Sequence, residues 1–146
     1  MKIREINFND FKKIFKLFNQ FNNKLNNNED LFKDYIIRIK CDNSKYILIL
    51  EDEINDVIEL VGTCSILIEQ KIIHNYGIVA HIEDLIIDEK FRGKNYGSVL
   101  LKEVINIAKN LDCYKIILNC KDEIKDFYIK NGFEFNQLQG SIYFKN

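Results

Sequence analysis

The chain opens on Lys2-Ile3-Arg4-Glu5-Ile6, a largely alternating stretch that predicts a strand over 2–6. Phe11, Ile14, Phe15 and Phe18 then recur at helical spacing, with Asn9 or Asp10 ahead of them as a cap. The Asn-rich patch Asn22–Asn28 reads as a loop. Asn28 followed by Glu29 and Asp30 predicts a helix start, because acids are favoured at the positive end of the dipole. Leu31, Tyr35, Ile36 and Ile39 mark the buried face of that second helix. Apolar runs at 45–50 and 57–68 predict two strands joined by the acidic turn Glu51–Asp56. A third run at 78–87 leads into the charged turn Asp88–Lys90.

Leu100, Val104, Ile107, Ala108 and Leu111 share one face of a predicted helix over 97–111. A short strand is predicted over 115–118, and a short helix over 122–130 stopped by Asn131-Gly132. Residues 133–135 and 141–144 predict a closing pair of strands. The resulting order is β-α-α-β-β-β-α-β-α-β-β. It predicts an α/β (mixed α+β) single domain over 1–146, with a central mixed, twisted sheet of about six to seven strands flanked by helices.

The join between the apolar run at 78–87 and the next helix carries the candidate chemistry: Phe91-Arg92-Gly93-Lys94-Asn95-Tyr96-Gly97-Ser98. A helix start offers unpaired backbone N–H groups and the positive end of the dipole. Glycines let that backbone approach a phosphate closely, and Arg92 and Lys94 add positive charge. The pattern suits a pyrophosphate, as in nucleotides or coenzyme A. It is neither a Walker loop nor a GxGxxG fingerprint. A purely structural Gly-containing turn is the competing reading of these residues taken alone.

Composition narrows the field. The chain has 146 residues, enough for one core, with 47% hydrophobic and 29% charged residues as in soluble globular proteins. A formal net charge of -1 argues against a general nucleic-acid binder. Cys41, Cys64, Cys113 and Cys120 form no CxxC pair and only two histidines are present, so no metal site is expected. Lys2, Arg4 and Glu5 interrupt the start before any apolar run, and no stretch is long enough to span a bilayer. The expectation is therefore no signal peptide, no membrane partner and a cytoplasmic protein with reduced thiols.

The run His81-Ile82-Glu83-Asp84-Leu85-Ile86-Ile87, followed by Arg92-Gly93-Lys94-Asn95-Tyr96-Gly97, resembles motif A of the GNAT acetyltransferase superfamily. Phe127-Tyr128-Ile129-Lys130-Asn131-Gly132-Phe133 resembles its FYxKxGF signature, and Ile3-Arg4 with Asp10-Phe11 its opening. A narrower resemblance, to the glucosamine-6-phosphate N-acetyltransferases, lies in Lys71-Ile72-Ile73-His74, in HIED at 81–84 and in Cys113-Tyr114-Lys115-Ile116-Ile117-Leu118.

The resemblance implies acetyl-CoA as cosubstrate, no metal, and an amino-sugar phosphate as acceptor. Leu85, Ile86 and Ile87 would pair their backbone with the pantetheine arm, N–H groups near Leu85 would polarise the thioester carbonyl, and Arg92, Gly93, Lys94, Asn95, Tyr96, Gly97 and Ser98 would cradle the pyrophosphate. Lys130 would also contact the cofactor. Tyr128 would stand near the sulfur and protonate the departing thiolate. Lys71, His74, Glu83, Asp84, Tyr114, Lys115, Asn119 and Lys145 would form the acceptor site. If Lys145 reaches a partner's substrate, the enzyme is a homodimer with composite sites.

Glu83 and Asp84, being adjacent on a strand, point to opposite faces unless the strand bulges. Glu83 shares a side with His81 and is the better acceptor of the amine proton. Direct attack in a ternary complex is expected. Cys113 and Cys120 are not expected to carry acetyl, since no histidine lies nearby in sequence to activate them. The chain departs from the family patterns at Asn95 (a glycine there), Ile124 (an asparagine contacting coenzyme A), Asn119 (an acid) and Asn19-Gln20 (a threonine region). Another acceptor amine, or an inactive acyl-CoA-binding module, remain the rival readings.

Overall fold

The computed structural model describes residues 1–21 and 25–144. The elements run β1 (Lys2–Glu5), α1 (Phe11–Phe18), α2 (Glu29–Cys41), β2 (Lys45–Ile54), β3 (Val57–Gln70), the single turn α3 (Ile73–Tyr76), β4 (Ile78–Ile87), α4 (Tyr96–Asn110), β5 (Cys113–Leu118) and α5 (Lys125–Lys130). One sheet holds the strands in chain order, β1-β2-β3-β4-β5. The first three pairings are antiparallel. β5 joins β4 in parallel, so the connection must cross over, and α4 makes that crossover.

Two clusters fill the two faces of the sheet. Leu48, Leu50, Cys64, Ile66, Ala80 and Ile82 meet Leu100, Leu101 and Val104 of α4 and Tyr128 of α5. Ile47, Ile49, Leu60 and Ile86 meet Phe11, Ile14 and Leu17 of α1 and Phe32, Ile36 and Ile39 of α2. The helical spacing puts Leu100, Leu101 and Val104 at 0% exposure, and each such side chain stabilises the fold by about 1.5–3 kcal/mol. Asn28 caps α2 as the sequence predicts, accepting from the N–H groups of Asp30 and Leu31 at 2.9 and 3.1 Å.

Five expectations need correction. Leu31 is 52% exposed, and Phe32 takes the buried place beside Ile36 and Ile39 in α2. Neither Asn9 nor Asp10 caps α1: the Asp10 carboxylate is taken by Arg4 and the Asn7 N–H, and it is the Asn7 side chain, accepting the Asn9 N–H at 2.9 Å, that caps the turn leading into the helix. The acidic segment 51–56 is not all turn: β2 continues to Ile54, and only Asn55 and Asp56, both at positive φ, form the hairpin bend. The predicted helix over 122–130 begins as a 3-10 turn at Asp122–Ile124, with α5 confined to Lys125–Lys130. The closing strands at 133–135 and 141–144 are absent, because those segments pair with nothing, and the sheet has five strands rather than six to seven. Ile142, Tyr143 and Phe144, with Leu138 between the two segments, are left largely exposed. Of the Asn-rich loop, residues 25–28 are irregular and 22–24 lie outside the described residues.

Candidate active site

β4 and β5 part company halfway along. Their register ends at His81↔Ile117 and Ile82↔Leu118, whereas β4 runs on to Ile87. Beyond Ile82, the edge of β4 that faced β5 therefore presents backbone groups with no strand to receive them, and a linear amide-containing ligand can add there as a strand would.

A bulge lies at the same point. On the β3 side the register steps from Ser65↔Glu83 to Thr63↔Ile86, so Asp84 and Leu85 together stand opposite Cys64. Asp84 takes a φ of 49°, a left-handed value that an aspartate tolerates better than a β-branched residue. The strict alternation that would separate Glu83 from Asp84 is thereby suspended, and both are exposed.

Cys64 is buried beneath the bulge. Burial first, and then the negative charges of Asp84 and Glu83, push its thiol up to about 12. Burial and Asp112 raise Cys113, and burial and Asp122 raise Cys120. These thiols are poor nucleophiles, as the lack of a nearby histidine in the sequence suggests.

Tyr128 comes from α5 to the same region. It is 5% exposed, with its ring edge-on to Phe127 and Phe133 at centroid distances of 5.0 and 5.8 Å. Burial pushes its phenol up to about 12, with the Cys120 and Cys64 thiols adding to the effect. A phenol so placed stays protonated at neutral pH and is fit to donate.

The turn after β4 is built to present N–H groups. Gly93 and Asn95 both sit at positive φ, 77° and 66°, so Asn95 supplies the left-handed bend expected where the family pattern has glycine. The first N–H to find a helical acceptor is Val99's, which donates to the Asn95 carbonyl at 3.2 Å, and those of Tyr96, Gly97 and Ser98 precede it. A Cβ on Gly97 would meet Phe127 Cζ at 2.9 Å, so glycine there lets α4 close on α5. The Tyr96 side chain turns inward, 7% exposed, and donates from its hydroxyl to Asp52 at 2.7 Å, leaving only its backbone for an anion. Lys94 Nζ lies 5.5 Å over the Phe91 ring, and Lys130 is exposed at the end of α5. The turn fits a diphosphate: consecutive donors, two cations and open space at Gly93.

Beside the parted strands lies a cavity of about 1000 Å³ whose lining includes His81, Glu83, Lys115, Asn119 and Cys120. Its outer wall is the segment Asn131–Gln139, which the sequence offers only as turn and strand. His81 Nε2 lies 2.9 Å from Glu69 Oε2, and Lys71 pairs with the other oxygen of the same carboxylate. His74, at positive φ in α3, stacks on Tyr114 at 4.6 Å, and Lys115 Nζ lies 5.7 Å over that ring. The structure thus gathers Glu83, Lys115 and Asn119 in the cavity, whereas Lys71, His74, Asp84 and Tyr114 are not among its lining residues: Lys71 connects to it only through Glu69 and His81, and His74 lies against Tyr114 of β5. Ile86 faces the α1/α2 cluster, which leaves its backbone as the usable part. Ile124 is half exposed. Lys145 lies outside the described residues.

Sequence reasoning missed Cys120 as a lining residue and Asp88 as the buried residue that opens the turn after β4. Asp88 caps the turn by accepting from the Lys90 N–H at 3.0 Å, a role its place just ahead of Glu89-Lys90-Phe91 could have signalled. Among the described residues, no group of three His, Cys, Asp or Glu side chains could hold a metal, and no helix is long and apolar enough to cross a membrane.

Comparison with known proteins agrees with this geometry. The sequence model of the acetyltransferase (GNAT) family matches residues 9–133. A Drosophila melanogaster protein named as a probable glucosamine 6-phosphate N-acetyltransferase is 31% identical over 91% of this chain and 60% of its own length. The Dictyostelium discoideum glucosamine 6-phosphate N-acetyltransferase 1 is 30% identical over 98% of this chain and 90% of its own. The chain spans 60% and 64% of the length of the Drosophila and Arabidopsis curated relatives. The crystal structure of glucosamine-6-phosphate N-acetyltransferase from Arabidopsis thaliana superposes with a TM-score of 0.90 at 32% identity, covering 99% of this chain and 98% of that one. A family match over most of the sequence, laid on parted parallel strands and a glycine-bent turn, makes this chain a member of the GNAT acetyltransferase family.

Proposed function

We propose that the chain transfers the acetyl group of acetyl-CoA to the amine of glucosamine 6-phosphate, giving N-acetylglucosamine 6-phosphate. The observation that carries the reading is the parting of β4 from β5 after Ile82 and Leu118, with the Asp84 bulge on one side and Tyr128 reaching the same region from α5. The named relatives support the choice of acceptor.

In this reading the exposed edge of residues 83–87 aligns the pantetheine amides, and the N–H groups of 96–98 with Arg92 and Lys94 hold the diphosphate. The thioester supplies an activated acetyl group that needs no covalent enzyme intermediate, in keeping with the raised thiols. The sugar amine must shed a proton before it attacks. Glu83 lines the cavity and is the β4 carboxylate able to take it. Asn119, being neutral, can orient the amine but not deprotonate it. Tyr128 donates to the sulfur as the thiolate leaves. Lys115, with Lys71, supplies positive charge for the sugar phosphate, and His74 can add a ring hydrogen bond. Holding both reactants in register contributes at most about 7–11 kcal/mol of the barrier reduction.

A homodimer in a cytoplasmic setting belongs to the same proposal. Leu138, Ile142, Tyr143 and Phe144 are exposed, and β5 ends the sheet with a free edge. A second copy covering both is the occupant that fits, in keeping with the composite site that the family resemblance implies. Sedimentation should give a dimer mass, and a monomer at micromolar concentration contradicts the composite site.

The test of function is thiol release from acetyl-CoA with a panel of amines, with the product identified by mass. Turnover on glucosamine 6-phosphate well above polyamines, peptide amines and other amino sugars is expected. Turnover on another amine alone would refute the acceptor, and coenzyme A binding without turnover on any amine would favour an inactive binding module.

A further inference from the structure

The end of α1 is tied to the phosphate turn by side chains whose packing role is small. Asp88 is 7% exposed, and its second oxygen accepts from Gln20 Nε2 at 3.0 Å. The other end of that amide, Gln20 Oε1, accepts the Glu89 N–H at 3.1 Å. One side chain thus grips two successive residues of the turn, 68 and 69 positions along the chain. The next residue, Phe21, places its ring 5.5 Å from the Arg92 guanidinium, and Arg92 Nε donates to the Ile87 carbonyl at 3.3 Å.

The helix end itself is firm. The Gln20 N–H reaches the Leu17 carbonyl at 3.2 Å and the Phe21 N–H reaches that of Phe18 at 2.9 Å. Leu17, 2% exposed, anchors the helix in the core. Phe21 is 55% exposed, so its ring adds little to that core. With both ends of its amide engaged by the turn, Gln20 is directed at Asp88 and Glu89 and not at the acceptor cavity, although it occupies the region where the family pattern has a sugar-contacting threonine.

We infer that Gln20 and Phe21 are positioning residues for the acyl donor: through Asp88, Glu89 and Arg92 they fix the direction of the 88–92 segment and hence the affinity for the diphosphate of coenzyme A. The inference rests on the reading of residues 92–98 as a diphosphate cradle. The carbonyl of Ile87, the Phe21 ring and the Glu89 carboxylate (3.6 Å from Arg92 Nη2) surround the guanidinium. An Arg92 already oriented loses less side-chain freedom when it meets a phosphate.

The test uses the full chain, with Gln20→Ala and Phe21→Leu, coenzyme A binding by calorimetry, and turnover with acetyl-CoA or with acetyl-pantetheine, which lacks the diphosphate. Gln20→Ala should weaken coenzyme A binding about fivefold or more, the scale of two lost hydrogen bonds. Phe21→Leu should weaken it about two- to fivefold, the scale of an exposed cation–π contact, with no change in melting temperature. In both variants the KM for acetyl-CoA should rise, while the KM for the amino sugar, kcat, and kcat/KM with acetyl-pantetheine stay at wild-type values. Equal losses with both donors would show general loosening and overturn the inference. So would wild-type coenzyme A affinity in both variants. Wild-type protein that binds no coenzyme A would overturn the proposed function and this inference together.

Discussion

Replacing Tyr128 by Phe removes one hydroxyl and leaves the ring in place between Phe127 and Phe133. No cavity forms, so the melting temperature should hardly move. The loss falls on the chemistry. A hydrogen bond from a neutral donor to a forming thiolate is worth about 1.5–3 kcal/mol, so kcat should fall about 10- to 150-fold. Coenzyme A binding should change much less, because the contact to sulfur strengthens as charge develops there. The phenol, pushed up to about 12 by its burial, stays protonated through pH 10. Wild type and variant should therefore share the same pH profile between 7 and 10, differing only in height. The assay is thiol release at saturating acetyl-CoA and amino sugar, with a viscosity series to establish that chemistry limits turnover. An unchanged kcat under that condition, or a variant that weakens coenzyme A binding as much as it slows turnover, would remove Tyr128 from the transition state.

Four further outcomes follow from the same structure. Glu83→Gln should lower kcat about a hundredfold or more with coenzyme A affinity retained, and wild-type kcat would exclude Glu83 as the proton acceptor. Gly97→Ala puts a Cβ 2.9 Å from Phe127 Cζ, which should cost about 1–3 kcal/mol in a melt and displace the residue beside Tyr128; a variant that melts like wild type would show that α5 yields freely. Arg4 forms a bidentate pair with Asp10, both bonds at 2.7 Å, and also holds Glu51, so Arg4→Met leaves the 2%-exposed Asp10 without its cation and should cost about 3–5 kcal/mol at pH 7. Burial pushes the Asp10 carboxyl up, but Arg4 and the Asn7 N–H outweigh it, and Arg4 lowers Glu51 as well. The stability from these depressed carboxyls is complete above their unfolded values near pH 4 and is lost as pH falls through the lower folded values, so wild-type melts should be flat from pH 6 to 8 and drop below about pH 4. A melt indifferent to pH down to 2 would contradict that assignment.

Much of this site is legible in the residues because local physics decides it. The glycine-bent turn, its cations and the helix after it follow from spacing alone, and the inward face of α4 is written in Leu100, Val104 and Ala108. The opening Ile3-Arg4 and Asp10-Phe11 can be read as a motif, although nothing local reveals that Arg4 and Asp10 form an ion pair. The bulge at Asp84 is legible only as a condition, since it depends on how β3 registers against β4. Gln20 and Asp88 meet across 68 positions, and no periodicity encodes such a contact. The inward turn of Tyr96 toward Asp52 is hidden for the same reason. Residues 133–135 and 141–144 carry the aromatic and β-branched residues of strands but have no partner in the sheet, and such residues favour a strand without supplying a neighbour.

The most direct measurement of the central claim is amide hydrogen exchange, residue by residue, with and without coenzyme A. Slowed exchange at Glu83–Ile87 and at Arg92–Ser98, with residues on the far strands β1 and β2 unchanged, is the predicted result. Binding that leaves those two segments exchanging at their original rates, or protects a different part of the sheet, would contradict the account.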